Sequence, residues 1–437
     1  MKRLALAALA AVLPVAAQAV PSVYPTGVTI YDPALAYNSY VVFGGTDHKT
    51  HLIDMNGHEV HRWEFAGFPS ELLDPAVTGG KLGHVLVQLS TDERAGAGVV
   101  PNMPAEFRNR TIGELDWDGK TVWEWGEQAP GGAARQHHDW YRLANGNTLI
   151  LANALHPIDG FKLPKILDDV IYEVTPDGEI AWQWAASDHI AEIFTKDELA
   201  LVHNPASPDY LHFNDMTPLG PNKWFDAGDK RFDPENILVD SRNANFIAII
   251  DRKTGKIIWQ LGPDYPHVPP GTPLPHAVDQ ISGQHDAHLI EPGLPGAGNL
   301  IVFDNQGEGG YPPAPLGVNS GSRILEIDPV KKQIVWQYTA ENSGRPGWTF
   351  YSSFISSARR LPNGNTLIDE GMNGRFFQAT PAGKIVWEYV SPYFATSPVG
   401  ATSTTPVLTN WVYRAQPVPY EWVPAGTPRS ETAVEVK

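Results

Sequence analysis

"YEVTPDGEIAWQW", residues 172–184, decides the fold. A run of apolar and polar residues ends at Thr175, Pro176-Asp177-Gly178 turns the chain, and Ile180, Trp182 and Trp184 then alternate with other residues. Glycine supplies the positive φ of a tight turn and period-two alternation builds a half-buried strand, so the stretch reads as a β-hairpin. Five copies accompany it: "HLIDMNGHEVHRWEF" (51–65), "GELDWDGKTVWEW" (113–125), "AIIDRKTGKIIWQL" (248–261), "LEIDPVKKQIVWQY" (325–338) and "FQATPAGKIVWEY" (377–389). The aligned aromatic positions His61, Trp123, Trp182, Trp259, Trp336 and Trp387 recur roughly every 50 to 80 residues, the spacing of blades with insertions.

A second half-repeat precedes most of these hairpins. "RLANGNTLILAN" (142–153) and "RLPNGNTLIDEG" (360–371) are near-identical, with looser copies at 289–305 and 79–90. Two half-repeats give four short strands per unit. The expected fold is therefore all-β: a six-bladed β-propeller with four-stranded antiparallel blades. The aligned tryptophans read as packing between blades. One short helical insertion is expected in "DHIAEIFTKDELALV" (188–202), where Thr195 and Glu198 have capping-box spacing.

Bulk properties agree. Of 437 residues 42% are hydrophobic and 19% charged, so a large core is available; Gly 40 and Pro 39 favour many turns. A net charge of −17 argues against nucleic acid as a partner. Lys2 and Arg3, an apolar run and Ala17-Gln18-Ala19 read as a secretory leader over 1–19, so an exported protein, periplasmic or secreted, is expected with no membrane span. Absence of cysteine removes thiol nucleophiles and thiolate metal sites. The propeller is expected over 24–415, followed by a tail (416–437) whose last residues are disordered.

Polar residues concentrate ahead of the first strand of several units. "RQHHDWYRL" (135–143) and "GQHDAHLI" (283–290) align Asp139 with Asp286 and His138 with His285. "LHFNDMTPLG" (211–220) offers His212, Asn214 and Asp215, and "FYSSFISSARRL" (350–361) offers serines and Arg359. The first strand of a blade lines the channel, so these distant segments are expected to converge there as a pocket wall. A metal reading stays open, with His138, His212, His285 and His288 as ligands and Asp286 or Asp215 behind them, although the spacings match no compact metal motif. His48, His51, His58 and His61 read as surface residues of the first hairpin, as do His267 and His276 in a proline-rich loop.

At these residues the chain resembles the bacterial arylsulfate sulfotransferases. The specific part is the order HFND, GQHDAH, SSFISSARRL, beside "SRILEIDP" and "YNSYVVFGGTDHKTHLIDMNGHEVHRWEF", over roughly residues 24 to 394. The resemblance implies sulfuryl transfer from an aryl sulfate to a phenolic acceptor, without an adenylyl-sulfate cofactor, through a sulfated histidine on the channel axis. Neutral imidazole suits that role near pH 7. His212 and His285 match sulfate-contacting histidines, and Asn214 can donate to a sulfuryl oxygen. The segment implied to hold the sulfated histidine reads "YSSFISSARR" here, with Ser352, Ser353 and Ser356 nearest, and the implied channel arginine is replaced by Asn305 and Gln306. Arg323, Arg359 and Arg375 are candidates to stand in for it. The expected catalytic set is His285, as sulfuryl acceptor, with His212 and His138; His288 and Asp286 join the substrate-binding set. Neither cofactor nor resident metal is expected. The resemblance leaves a homodimer open. Two other readings are a non-catalytic propeller that binds an aryl or sulfated ligand, and a metal-dependent hydrolase or lyase on the same scaffold.

Overall fold

A computed structural model describes residues 25–91, 108–205, 207–263, 281–307, 321–398 and 406–435. The expected leader, His267 and His276 lie outside the described residues. Six antiparallel sheets form six blades. From the innermost strand outward, the third blade runs Gln136–Arg142, Thr148–His156, Ile166–Val174 and Ile180–Ala185. The second, fourth, fifth and sixth repeat this order, with innermost strands Glu71–Leu72, Phe213–Pro218, His285–Leu289 and Ser357–Arg360.

Both ends of the chain close the ring. Ala415–Val418 is the innermost strand of the first blade, pairing with Tyr40–Gly44, and Gly27–Tyr31 adds a fifth strand outside Ile385–Val390 of the sixth. This corrects the expected boundary at 415, which falls inside a strand. The expected tail is also shorter than it reads: Val434 exchanges two backbone hydrogen bonds with Tyr31, at 2.8 and 2.9 Å. Its proline-rich composition conceals a segment held by ladder bonds rather than by an apolar face.

Among the described residues six apolar clusters lie between neighbouring blades, beside a small one of Phe68, Ile355 and Tyr413; one of the six joins Leu151, Ile171 and Trp184 of the third blade to Phe213, Val239 and Ala248 of the fourth. Each of the six contains a tryptophan whose indole N–H donates to a backbone carbonyl in the last turn of the next blade. The donors are Trp63, Trp125, Trp184, Trp259, Trp336 and Trp387, to Asp116, Gly178, Gly255, Pro329, Pro381 and Met55, and the last bond closes the circle. The aligned set is thus corrected in the first three blades. There the donor lies two residues beyond His61, Trp123 and Trp182, one strand period along the same face. Trp123 and Trp182 instead lie beneath the guanidinium groups of Arg142 and Arg252, and His61 stacks on Trp117. His51 is a further correction. It is fully buried, stacked on Tyr393 and held between Glu59 and Asp47 at 2.6 and 3.0 Å.

The insertion is helical at Ile190–Ile193 and Lys196–Val202, and Thr195 and Glu198 exchange the capping bonds. A third helix, Lys223–Asp226, is capped by Asn222. Among the described residues no helix is long and apolar enough to cross a membrane.

Candidate active site at the channel mouth

All innermost strands run in one direction, so side chains at matching positions form layers down the channel. We call the face where these strands begin the upper face. Short NGN and DG turns close the lower face. The helical insertion and the residues flanking segments 92–107, 264–280, 308–320 and 399–405 belong to the upper face, because they join second to third strands or one blade to the next. Long connections at one mouth are where a propeller places its chemistry.

The innermost strands of the third, fourth and fifth blades each carry a bulge at the polar segment. Beside or within these bulges His138, His212 and Asp286 adopt φ of 57°, 55° and 60°. Left-handed backbone at bulky side chains is strained and persists where packing over-determines it, and a bulge re-aims the side chains it carries. This is how the strand delivers both histidine and aspartate to the axis.

The middle layer is an ion-pair knot around Arg414, the residue just before the closing strand. Its guanidinium reaches Asp139 at 2.8 Å, Asp215 at 2.9 Å and Asp286 at 3.1 Å, one carboxylate from each of three blades. Asp139 also accepts the Met216 N–H and Asp286 that of Ala358, each from the next blade. All four side chains are buried. Burial opposes the charge of Arg414, but attraction to Asp139 and Asp286 prevails and holds it protonated. Burial and the neighbouring Asp139 push Asp215 well above the carboxylate range. Arg414 was not legible as a site residue, although three aligned aspartates on one axis call for a buried cation.

One strand period lower lie Tyr141, His288 and Arg359, with Glu71 from the second blade. Arg359 pairs with Asp286 and keeps a quarter of its side chain exposed. His288 donates from Nδ1 to the Asp286 carbonyl at 2.8 Å, and burial lowers its pKa to about 3. Burial, then repulsion by Asp139, raises Glu71 to about 8; it keeps partial solvent access though protein surrounds it.

The upper layer holds the imidazoles. His138 and His212 meet edge to face with ring centres 4.6 Å apart. His212 Nδ1 lies 2.5 Å from a carboxylate oxygen of Asp209, and its side chain retains 16% exposure. Burial would raise Asp209, but the facing His212 outweighs it and keeps the carboxyl below its ordinary value. An ionised carboxylate at Nδ1 fixes the hydrogen there and leaves the lone pair on Nε2. His138 is oriented by His137, Nδ1 to Nδ1 at 2.9 Å, and burial followed by repulsion from His212 lowers both pKa values, that of His137 to about 4. Phe68, at 5.0 Å from the His138 ring, and Tyr413 and Trp411 add an aromatic wall.

His285 differs. Its Nδ1 faces the Asn305 side-chain oxygen at 2.8 Å, and its Nε2 accepts the Ile355 N–H at 3.0 Å. Both ring nitrogens are engaged, so the expected role as sulfuryl acceptor would require one of these bonds to break. Burial, then Arg242, keeps the ring neutral. Asn305 spends its N–H groups on the Ser352 and Ile355 carbonyls, and Asn214 donates to Gln284 while its own carbonyl accepts the Tyr413 hydroxyl at 2.5 Å. These residues brace the mouth.

Other expected contacts fall elsewhere. Arg323 pairs with Asp304 at 2.7 Å in the fifth blade, and Arg375 is clasped by Glu370 and Glu388 inside the sixth. Neither stands in for a channel arginine; Arg414 occupies the axis. Ser356 accepts the Gly371 N–H and Ser353 donates to the Met372 sulfur at 3.6 Å. Among the described residues no three His, Asp or Glu side chains are grouped as a metal would require, so the four histidines left open for a metal do not form such a cluster. Sequence reasoning missed His137 and Asp209, whose partners His138 and His212 are close in sequence, and Asp169, which approaches His137 from another strand.

Fold and mouth define a six-bladed β-propeller with paired imidazoles above an ion-pair plug. The chain belongs to the arylsulfotransferase (ASST) family, whose model matches residues 98–396. No curated protein sequence matches it. Among solved structures it is similar to a Bacteroides caccae protein of unknown function (13% identity, 87% of this chain and 99% of that one, TM-score 0.48). It is also similar to the virginiamycin B lyase of Staphylococcus aureus (13% identity, 82% and 87%, TM-score 0.36).

Proposed function

We propose that the upper mouth transfers a sulfuryl group from an aryl sulfate to a phenol, with His212 as the intermediate acceptor. Family membership supports sulfuryl transfer in general. The observation that carries the finer reading is the Asp209–His212 pair, a partly exposed imidazole with a carboxylate at Nδ1. Attack by Nε2 on sulfur expels the aryl oxygen, and the positive charge gained by the ring is balanced by Asp209. The aromatic wall of Phe68, Trp411 and Tyr413 suits the aryl groups of donor and acceptor, which exchange at one site. The leader expected at 1–19 would place this reaction outside the cytoplasm.

The test is transfer from nitrophenyl sulfate to a second phenol by the wild-type protein and by His212→Gln. Loss of roughly 10⁴-fold or more in the variant, with the fold intact by circular dichroism, is expected for a nucleophile. Undiminished transfer would refute the assignment.

A further inference from the structure

The geometry points to a proton relay behind the sulfuryl site, running from Asp169 through His137 to His138, that serves the phenol oxygen in both halves of the transfer; it rests on His212 as sulfuryl acceptor. His137 and His138 face each other through their Nδ1 atoms at 2.9 Å. Only one hydrogen fits between two such nitrogens, so the tautomer of one ring dictates that of the other. On the far side His137 Nε2 approaches Asp169 Oδ1 to 3.5 Å without a hydrogen bond between them, a gap that must tighten with substrate bound for a proton to cross. At the near end the His138 ring abuts that of His212. His137, His138 and Asp169 are all at most 3% exposed, so bulk water does not short-circuit the line.

Two hydrogen arrangements satisfy this line. In the first, Asp169 is protonated, His137 carries its hydrogen on Nδ1 and His138 on Nε2. In the second, Asp169 is ionised, His137 carries its hydrogen on Nε2 and His138 on Nδ1. Each has support. Burial, then Asp209 and Asp168, holds the Asp169 carboxyl well above its ordinary range, which suits a protonated resting acid. The backbone N–H groups of Phe213 and His212 favour the ionised form.

The chemistry balances. In the first half, the bond from sulfur to His212 Nε2 forms as the sulfur–oxygen bond breaks, and the electron pair leaves on the aryl oxygen. That oxygen takes the His138 Nε2 hydrogen, His138 takes that of His137, and His137 takes that of Asp169. In the second half the acceptor phenol returns a proton along the same line as its oxygen attacks sulfur and the His212–sulfur bond breaks. No net proton is gained or lost.

The experiment compares single-turnover rates of phenol release without acceptor, which report the first half alone, over a series of aryl sulfates whose leaving phenols span a range of pKa, for wild type, Asp169→Asn and His137→Phe. A phenolate such as nitrophenolate leaves without help, whereas a poor leaving group needs its proton. For the poorest leaving groups each variant should lose about 10²- to 10³-fold, and for nitrophenyl sulfate less than about threefold, so the dependence on leaving-group pKa steepens. A merely structural role would lower all rates alike. A uniform loss, or none, in a folded variant overturns the relay while leaving His212 standing. Absence of wild-type transfer from nitrophenyl sulfate overturns the site reading and the relay with it. If Asp169→Asn fails to fold, His137→Phe decides.

Discussion

The upper and middle layers of the channel are built from the same repeat, a polar segment entering an innermost strand, yet they do opposite things. In the middle layer a single buried guanidinium, Arg414, is enclosed by three carboxyl groups that leave it no solvent. In the upper layer His212 is aimed by a carboxylate but keeps part of its ring at the surface. Charge alone does not mark an active site. What distinguishes the two is an imidazole oriented by a carboxylate and still partly exposed, the feature on which the proposed function rests.

Removing the knot should have the largest effect on the molecule. Arg414→Met leaves Asp139 and Asp215 without a facing cation and Asp286 with Arg359 alone, a loss of about 3–5 kcal/mol measured by denaturant unfolding. A variant as stable as wild type would show that the layer is not the clasp described here. His285→Ala comes next. It strands the Ile355 N–H and the Asn305 oxygen, so stability should fall by about 1–3 kcal/mol while the folded fraction keeps more turnover than His212→Gln. Equal loss of turnover in the two variants would move His285 from brace to reactant.

A pH dependence tests the layer below the knot. Glu71 has a folded pKa of about 8, above the unfolded value, so its contribution to stability is fully present below about pH 4.5. It is lost as pH rises towards 8, because the unfolded chain ionises while the folded one resists. Glu71→Gln should therefore match wild type near pH 4 and melt at a higher temperature than wild type near pH 8. Melting curves that stay parallel across this range would show Glu71 to be solvated in the folded protein.

The six blades were legible because each hairpin carries its own turn residues and alternation, which no distant contact needs to supply. The convergence of the histidine segments was legible too, since propeller topology brings first strands to one axis. Which imidazole keeps solvent access was not. That depends on Ile355 of the sixth blade filling one ring nitrogen of His285, whereas the Asp209–His212 pair is local, a D-x-x-H spacing that the sequence offered and that was passed over. Arg414 was hidden for another reason: it lies beyond the last recognisable repeat, just ahead of the expected tail, and only ring closure brings it to the axis. The tryptophan alignment slipped by two residues because period-two strands offer equivalent inward positions along one face.

The most direct measurement is peptide mass spectrometry of the protein after brief incubation with an aryl sulfate and no acceptor. The account predicts a sulfuryl mass gain on the peptide containing His212, discharged when a phenol is added. A stable gain on the peptide containing His285 or Ser352–Ser356 instead, or transfer to phenol with no labelled histidine at any time, would contradict it.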